Sequence, residues 1–241
     1  MSASPRPDQL PACDVLAFGP HPDDIEIACA GTLLALRATG RSLVLVDLTR
    51  GEMGSRGTAQ DRAAEAAAAA ALGVLARCNL GLPDTGLTVD AASTDLLVAA
   101  LRATRARLVF APHPLDVHPD HTAAALLVGR AAYLGGLRNY RPDLGAPHRP
   151  RMVLRYPGNR PVEPTLVVDI SAVVAKKAAV VGCYRSQLAP PDKTHLVQGL
   201  DLLERAQVRD RAYGAQIAVH AGEGFCHDGP MPVRDLGWLL A

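Results

Sequence analysis

Short apolar runs followed at once by unusual polar segments set the rhythm of the first half of the chain. Val15 to Phe18 predicts a buried strand that ends at Gly19-Pro20 and meets His21-Pro22-Asp23-Asp24. Ile25 to Thr39 has apolar residues at helical spacing and stops at Gly40. Leu43 to Leu48 predicts a second buried strand, which runs into a loop rich in Gly, Ser and Arg, Thr49 to Thr58. A helix is expected from Ala59 to Leu72, closed by Gly73, with an Ala face able to lie close against a sheet. Arg77 to Leu80 reads as a short strand before the turn Gly81-Leu82-Pro83-Asp84. A helix from Ser93 to Arg105 then leads to a strand at Leu108 to Ala111, a His-rich segment, and an Ala/Leu helix ending near Leu134. Gly135 to Pro164, rich in Pro, Arg and Gly, reads as one long connection. Thr165 to Ile170 predicts a strand, Asp169 and Ser171 open a helix to Tyr184, and Leu196 to Gln216 predicts a long, charged amphipathic helix.

Strands alternating with helices at this spacing imply an α/β, Rossmann-like fold: a mostly parallel sheet with helices on both faces. A single domain over residues 1–241 is expected. In such sheets the functional loops lie beyond the carboxyl ends of the strands. Topology alone therefore gathers His21 to Asp24, Thr49 to Thr58, Leu82 to Gly86 and Pro112 to His121 at one edge.

Composition narrows the function classes. With 49% hydrophobic and only 4% aromatic residues, the core must be built mainly of Ala, Val and Leu. A net charge of +1 without a Lys/Arg run argues against a nucleic-acid partner. The five cysteines are odd in number and form no C-x-x-C, which points to reduced thiols in a cytoplasmic protein. The first eleven residues have no apolar signal-peptide core, and the Ala-rich stretch from Ala63 to Leu72 is too short for a membrane span, so no membrane partner is expected.

The candidate chemistry lies in two remote segments, His21-Pro22-Asp23-Asp24 and His118-Pro119-Asp120-His121. By itself the first also suits a helix start, since Pro fits the first turn and acidic residues complement the helix dipole. The second puts His118 and His121 one helical turn apart, with His113 and Asp116 in the same loop. Together they supply nitrogen and oxygen donors for a Zn²⁺ that keeps one position for water. Of the adjacent Asp23 and Asp24, one would ligate and the other would hydrogen-bond that water and take its proton. A second His, held by Asp120, would protonate a leaving amine or steady an oxyanion. The G-x-G-x-x-G, P-loop and G-x-S-x-G signatures are absent, which weakens nucleotide-binding and serine-hydrolase readings. A metal-dependent hydrolase leads. A non-catalytic zinc protein, with an extra protein ligand closing the coordination sphere, is the competitor from another class.

The segments HPDDIEIACAGTL and HPLDVHPDHTAAA resemble the LmbE-like (PIG-L) zinc deacetylases. LTRGEMGSRGT, NLGLPDTGL, the YRSQL at Tyr184 and the GEGF at Glu223 resemble, within that family, the bacillithiol-biosynthesis deacetylases acting on N-acetylglucosaminyl malate. The resemblance implies His21, Asp24 and His121 as Zn²⁺ ligands, with Fe²⁺ and other divalent metals able to use the same donors. It implies Asp23 as general base, His118 as the imidazole that stabilises charge on the reacting amide, and Asp120 as the group orienting His118. It also implies Arg62 and Asp84 as grips on sugar hydroxyls; read alone, these are a solvated helix arginine and a turn residue. The partner implied is a small amino-sugar conjugate, and the assembly a homo-oligomer. An amidase of thiol–sugar conjugates, or a deacetylase of another amino sugar, would use the same centre. The sequence departs from some relatives in placing Leu202 where they carry a tyrosine, and in reading His113-Pro114-Leu115 where aromatic residues are common.

Overall fold

A computed structural model describes residues 5–70, 73–74, 76–188 and 201–231. Five parallel strands, β1 (Val15–Gly19), β2 (Leu43–Thr49), β3 (Ala76–Leu82), β4 (Leu108–Pro112) and β5 (Met152–Tyr156), form most of the sheet. Two more, β6 (Leu166–Asp169) and β7 (Gly222–His227), complete the order β3-β2-β1-β4-β5-β7-β6, with β7 antiparallel to both its neighbours. The strand order reverses between β1 and β4, so a crevice forms beyond their carboxyl ends.

The helices are α1 (Asp24–Ala38), α2 (Ala59–Ala70), α3 (Ala91–Thr104), α4 (Pro119–Leu134), α5 (Val174–Val181) and α6 (Leu202–Gln216). β1 and β2 are buried along their whole length, as their continuous apolar runs require of a strand covered on both faces. Alternation divides their side chains. Leu16, Phe18, Val44 and Val46 pack with Leu97, Leu101 and Leu127 of α3 and α4. Val15, Ala17, Leu43 and Leu45 pack on the other face with Ile25, Cys29 and Leu33 of α1. Each such side chain contributes about 1.5–3 kcal/mol by leaving water. All five cysteines are free thiols, and no helix among the described residues is long and apolar enough to cross a membrane.

The expected strand–helix rhythm holds through α4. The structure departs from it afterwards. Gly135 to Pro164 is not one connection but contains β5, whose five residues are hidden in sequence between Pro- and Arg-rich flanks. β7 is also absent from the sequence pattern, because Gly222 and Gly224 carry no strand signal. Their reason is close approach: a Cβ on Gly222 would meet Val167, and one on Gly224 would press on Pro164 and the Tyr213 ring. The helix expected from Ser171 begins with a 3₁₀ turn and ends at Val181. α6 starts at Leu202 behind an Asp201/Glu204 capping box; residues 196–200 and 71–72 of the expected helices lie outside the described residues.

β7 and α6 also grip α1 in mid-helix. Glu223 accepts from the backbone N–H groups of Gly31 (2.9 Å) and Thr32 (2.7 Å), and Arg209 donates to the Ile27 carbonyl (2.8 Å). Gly31 N–H and Ile27 C=O would be mutual partners in an undisturbed helix. Lys177 neutralises Glu223 at 2.7 Å and also meets Asp210, so this buried clamp is charge-paired. It ties the helix that begins with Asp24 to the far end of the sheet.

Candidate metal centre

The loops after β1 to β5 each contribute one part of the site. β1 ends in Gly19 and the chain turns through Pro20 to Asp23, the N-cap of α1. Asp23 has φ 118°, a conformation costly for any residue with a Cβ. It makes no side-chain cap bond, so its carboxylate is not spent on the helix start. His118 caps α4, with its Nδ1 accepting from the Asp120 N–H (3.2 Å) and Pro119 at the first position. One turn later His121 faces back toward the crevice.

Asp24 is the hub. Its Oδ2 lies 3.1 Å from His21 Nδ1, and its Oδ1 lies 3.3 Å from His121 Nε2. The other nitrogen of each imidazole faces a carboxylate: His21 Nε2 meets Asp84 (3.1 Å) and Asp120 (3.2 Å), and His121 Nδ1 meets Asp116 (3.1 Å). His21, Asp24 and His121 thus form a compact group of donor atoms able to hold a metal ion; His21, His118 and Asp120 form an overlapping one. The first fits a cation better, because each of its imidazoles keeps an outer carboxylate that fixes ring orientation and tautomer. It has three protein donors, the number that leaves a tetrahedral ion one position for water.

Charge supports the fit. Asp23, Asp24, Asp84, Asp116 and Asp120 gather here against the Arg62 guanidinium. Burial pushes the His21 imidazole down, but the Asp120 and Asp24 carboxylates outweigh it and lift it to about 10. Burial likewise lowers His121, but the carboxylates of Asp24 and Asp116 outweigh it and lift it to about 10. Burial raises Asp24, but the two imidazoles hold it well below the usual carboxylate range. The pocket therefore calls for positive charge between these donors. Burial pushes Asp23 up to about 7, against the pull of Arg62. Burial and the charges of His21 and His121 push His118 down, toward the neutral imidazole.

The structure corrects two expectations, the role of Asp120 and the reading of Arg62 taken alone, and places the other candidates. The Asp120 carboxylate does not hold His118. It accepts from Thr85 N–H (2.7 Å) and Leu87 N–H (3.2 Å) and faces His21, while only the Asp120 backbone touches His118. Arg62 is not a solvated helix residue. It is buried, pairs with Asp23 at 3.0 Å, donates to the Pro22 carbonyl, and lies against Gly51, where a Cβ would collide with it. Asp84 is likewise buried and ties the loop after β2 to the site by accepting from Met53 N–H (2.8 Å). His113 accepts from Leu115 N–H and stands outside both donor groups. Tyr184 is fully buried in the core.

In the sequence Asp116 is only one more donor in a His-rich loop. In the fold its two oxygens accept from His118 N–H (2.9 Å) and Asn159 N–H (2.8 Å) while facing His121, so it orients that imidazole. Gly158 is packed directly against this pair, with no room for a Cβ. Gly158→Ala is therefore expected to displace Asp116 or His121 and to lower metal affinity about 10–100-fold, the usual effect of losing an outer partner. Equilibrium dialysis with metal analysis checks this; unchanged affinity would show that the Asp116–His121 contact does not support the centre.

The centre lies in a cleft of about 670 Å³, within the range of small-molecule sites. Its floor holds His21, Asp23, Asp24 and His121; its outer wall is α6 with the segment after β5. The PIG-L family profile, described as GlcNAc-PI de-N-acetylase, matches residues 16–132, a span containing every one of these floor residues. A diacetylchitobiose deacetylase from Thermococcus kodakarensis is 33% identical over 193 residues, covering 72% of this chain and 69% of its own. The chain belongs to the PIG-L family. Among solved structures, the conserved protein TT1542 from Thermus thermophilus superposes with a TM-score of 0.81 at 42% identity, covering 94% of this chain and 98% of its own. The N,N'-diacetylchitobiose deacetylase from Pyrococcus horikoshii, complexed with an inhibitor, gives 0.79 at 26% identity, over 93% and 89%. These superpositions cover nearly the whole chain and so extend beyond the span of the family profile, residues 16–132.

Proposed function

We propose that this PIG-L protein is a metal-dependent amide hydrolase that removes the N-acetyl group from an N-acetylglucosamine conjugate, with zinc as the metal and N-acetylglucosaminyl malate of bacillithiol biosynthesis as the conjugate. The observation that carries this reading is the Asp24 carboxylate shared by His21 and His121 on the floor of the cleft, with Asp23 beside it and engaged by no imidazole. The names of the two diacetylchitobiose deacetylases support an N-acetyl amino sugar as substrate.

His21, Asp24 and His121 would hold the cation. A divalent metal there supplies Lewis acidity to the amide carbonyl and makes water acidic near neutral pH. Asp23 takes the proton from the attacking water and delivers one to the departing nitrogen. The C–N bond breaks as water oxygen joins the acetyl carbon, leaving acetate and a free amine. His118, its Nδ1 taken by the Asp120 N–H, presents its other nitrogen as a donor to the carbonyl oxygen as negative charge builds there. Asp120 and Asp116 keep His21 and His121 in register. Arg62 and Asp84 line the cleft where they can meet sugar hydroxyls.

The test is acetate release from N-acetylglucosaminyl malate, diacetylchitobiose and a thiol–sugar conjugate, with and without chelator. Release from the malate conjugate is expected, abolished by chelator and restored by zinc. A preference for diacetylchitobiose would move the substrate toward that of the Thermococcus kodakarensis relative. No acetate from any amino sugar by metal-loaded protein would sink the deacetylase reading.

A further inference from the structure

We infer that the α6 wall of the cleft is an anion subsite built on Arg205, which holds a carboxylate or phosphate on the aglycone of the substrate; this rests on the deacetylase reading of the same cleft. α6 turns Arg205 and Arg209 into the cleft at i and i+4, one above the other on a single face. Arg209 is spent on backbone. It donates to the carbonyls of Pro157 (3.0 Å), Gly158 (3.0 Å) and Ile27 (2.8 Å), which fix its position, and no carboxylate among the described residues pairs with it.

Arg205 differs. It is half-buried and lines the cleft, and its guanidinium has no hydrogen bond or ion pair among the described residues. The other inward-facing arginines have partners: Arg62 meets Asp23, Arg77 meets Glu26 and Asp47, and Arg102 is ringed by carbonyls. Burial and the Arg209 charge disfavour the Arg205 cation, and the carboxylate that acts on it, Asp116, is already committed to His121, His118 and Asn159. An unpaired, partly desolvated guanidinium in a binding cleft is a site for a carboxylate or phosphate, which it can grip with two parallel N–H groups.

The cleft is therefore polarised. One end is lined by Asp23, Asp24 and Asp84, with the Asp116 and Asp120 carboxylates buried behind His121 and His21; the α6 wall carries two guanidinium groups without a carboxylate in ion-pair range among the described residues. Arg209 bonds the Gly158 carbonyl, and Gly158 packs on Asp116 and His121, so Arg205, one helical turn along α6 from Arg209, lies on the wall beside the metal end. A substrate with a neutral acetamide at one end and an anion at the other matches this field. Arg50 and Arg56, the arginines of the loop after β2, do not line the cleft, and Arg56 donates to the Leu188 carbonyl.

The experiment measures acetate release by the metal-loaded wild type, Arg205→Gln and Arg205→Lys on three substrates. N-acetylglucosaminyl malate carries a carboxylate, N-acetylglucosamine 1-phosphate a phosphate, and methyl N-acetylglucosaminide no charge. Arg205→Gln is expected to raise KM for an anionic substrate roughly 10–100-fold, as loss of a charge-assisted hydrogen bond does. Its kcat, and its kinetics on the neutral glycoside, should stay unchanged, and Arg205→Lys should restore part of the loss. Whichever anionic substrate shows the effect identifies the anion. An equal loss on all three substrates, or no loss on any, overturns the subsite. If no substrate releases acetate, the deacetylase reading fails separately, and calorimetry still decides the subsite. Wild type binding glucosaminyl malate more tightly than methyl glucosaminide, with Arg205→Gln abolishing the difference, supports it; equal binding of both by the wild type refutes it.

Discussion

Asp23→Asn protein is expected to keep its metal and lose turnover by about 10²–10⁴-fold, the usual contribution of a positioned proton acceptor. Asn is the mildest change available. It has nearly the same size and tolerates the positive φ of 118° better than most residues. It can still accept from Arg62, which keeps its bond to the Pro22 carbonyl. What it cannot do is take a proton. The metal donors should be untouched, because the Asp23 carboxylate is turned to Arg62 and belongs to neither donor group. Metal analysis and kcat on the same preparation separate the two roles. Full turnover by metal-loaded Asp23→Asn protein would end the general-base assignment.

His121→Ala has the second large effect: the purified protein is expected to hold no stoichiometric metal after dialysis, and to have no activity. The substitution removes one of three donors and leaves Asp116 without the imidazole it faces. The loss in affinity should exceed the roughly 10–100-fold cost of removing an outer partner. Folding should survive, because α4 remains anchored by Leu127, Val128 and Ala131 in the core. Dialysis against a metal-free buffer followed by elemental analysis, with circular dichroism as the folding control, makes the measurement. One equivalent of zinc retained by a folded variant would remove His121 from the ligand set and shift attention to the overlapping group of His21, His118 and Asp120.

Much of this centre could be read from residue order. Apolar runs at Val15 and Leu108 end in His-bearing segments, and a parallel sheet must place both endings at one edge. That inference needs only local periodicity and the geometry of crossovers. It fails where a residue's role depends on a partner remote in sequence. Asp120 is adjacent to His118 only on paper, since the α4 N-terminus turns its carboxylate away to His21, across 99 positions. Arg62 has the pattern of an exposed helix residue and is buried because the loop after β2 folds over it. β7 is invisible in the sequence because its glycines answer to the packing of α6 rather than to strand propensity.

The chain by itself determined the alternation of strand and helix, the edge at which chemistry collects, and the residue types able to bind a metal, because these follow from spacing along a single segment. The tertiary structure decided which carboxylate faces which imidazole, that Asp116 and Gly158 support His121, and that α6 closes the cleft with Arg205 and Arg209. Those are contacts between segments, set by packing that brings distant side chains within a few ångströms, and no local pattern encodes them.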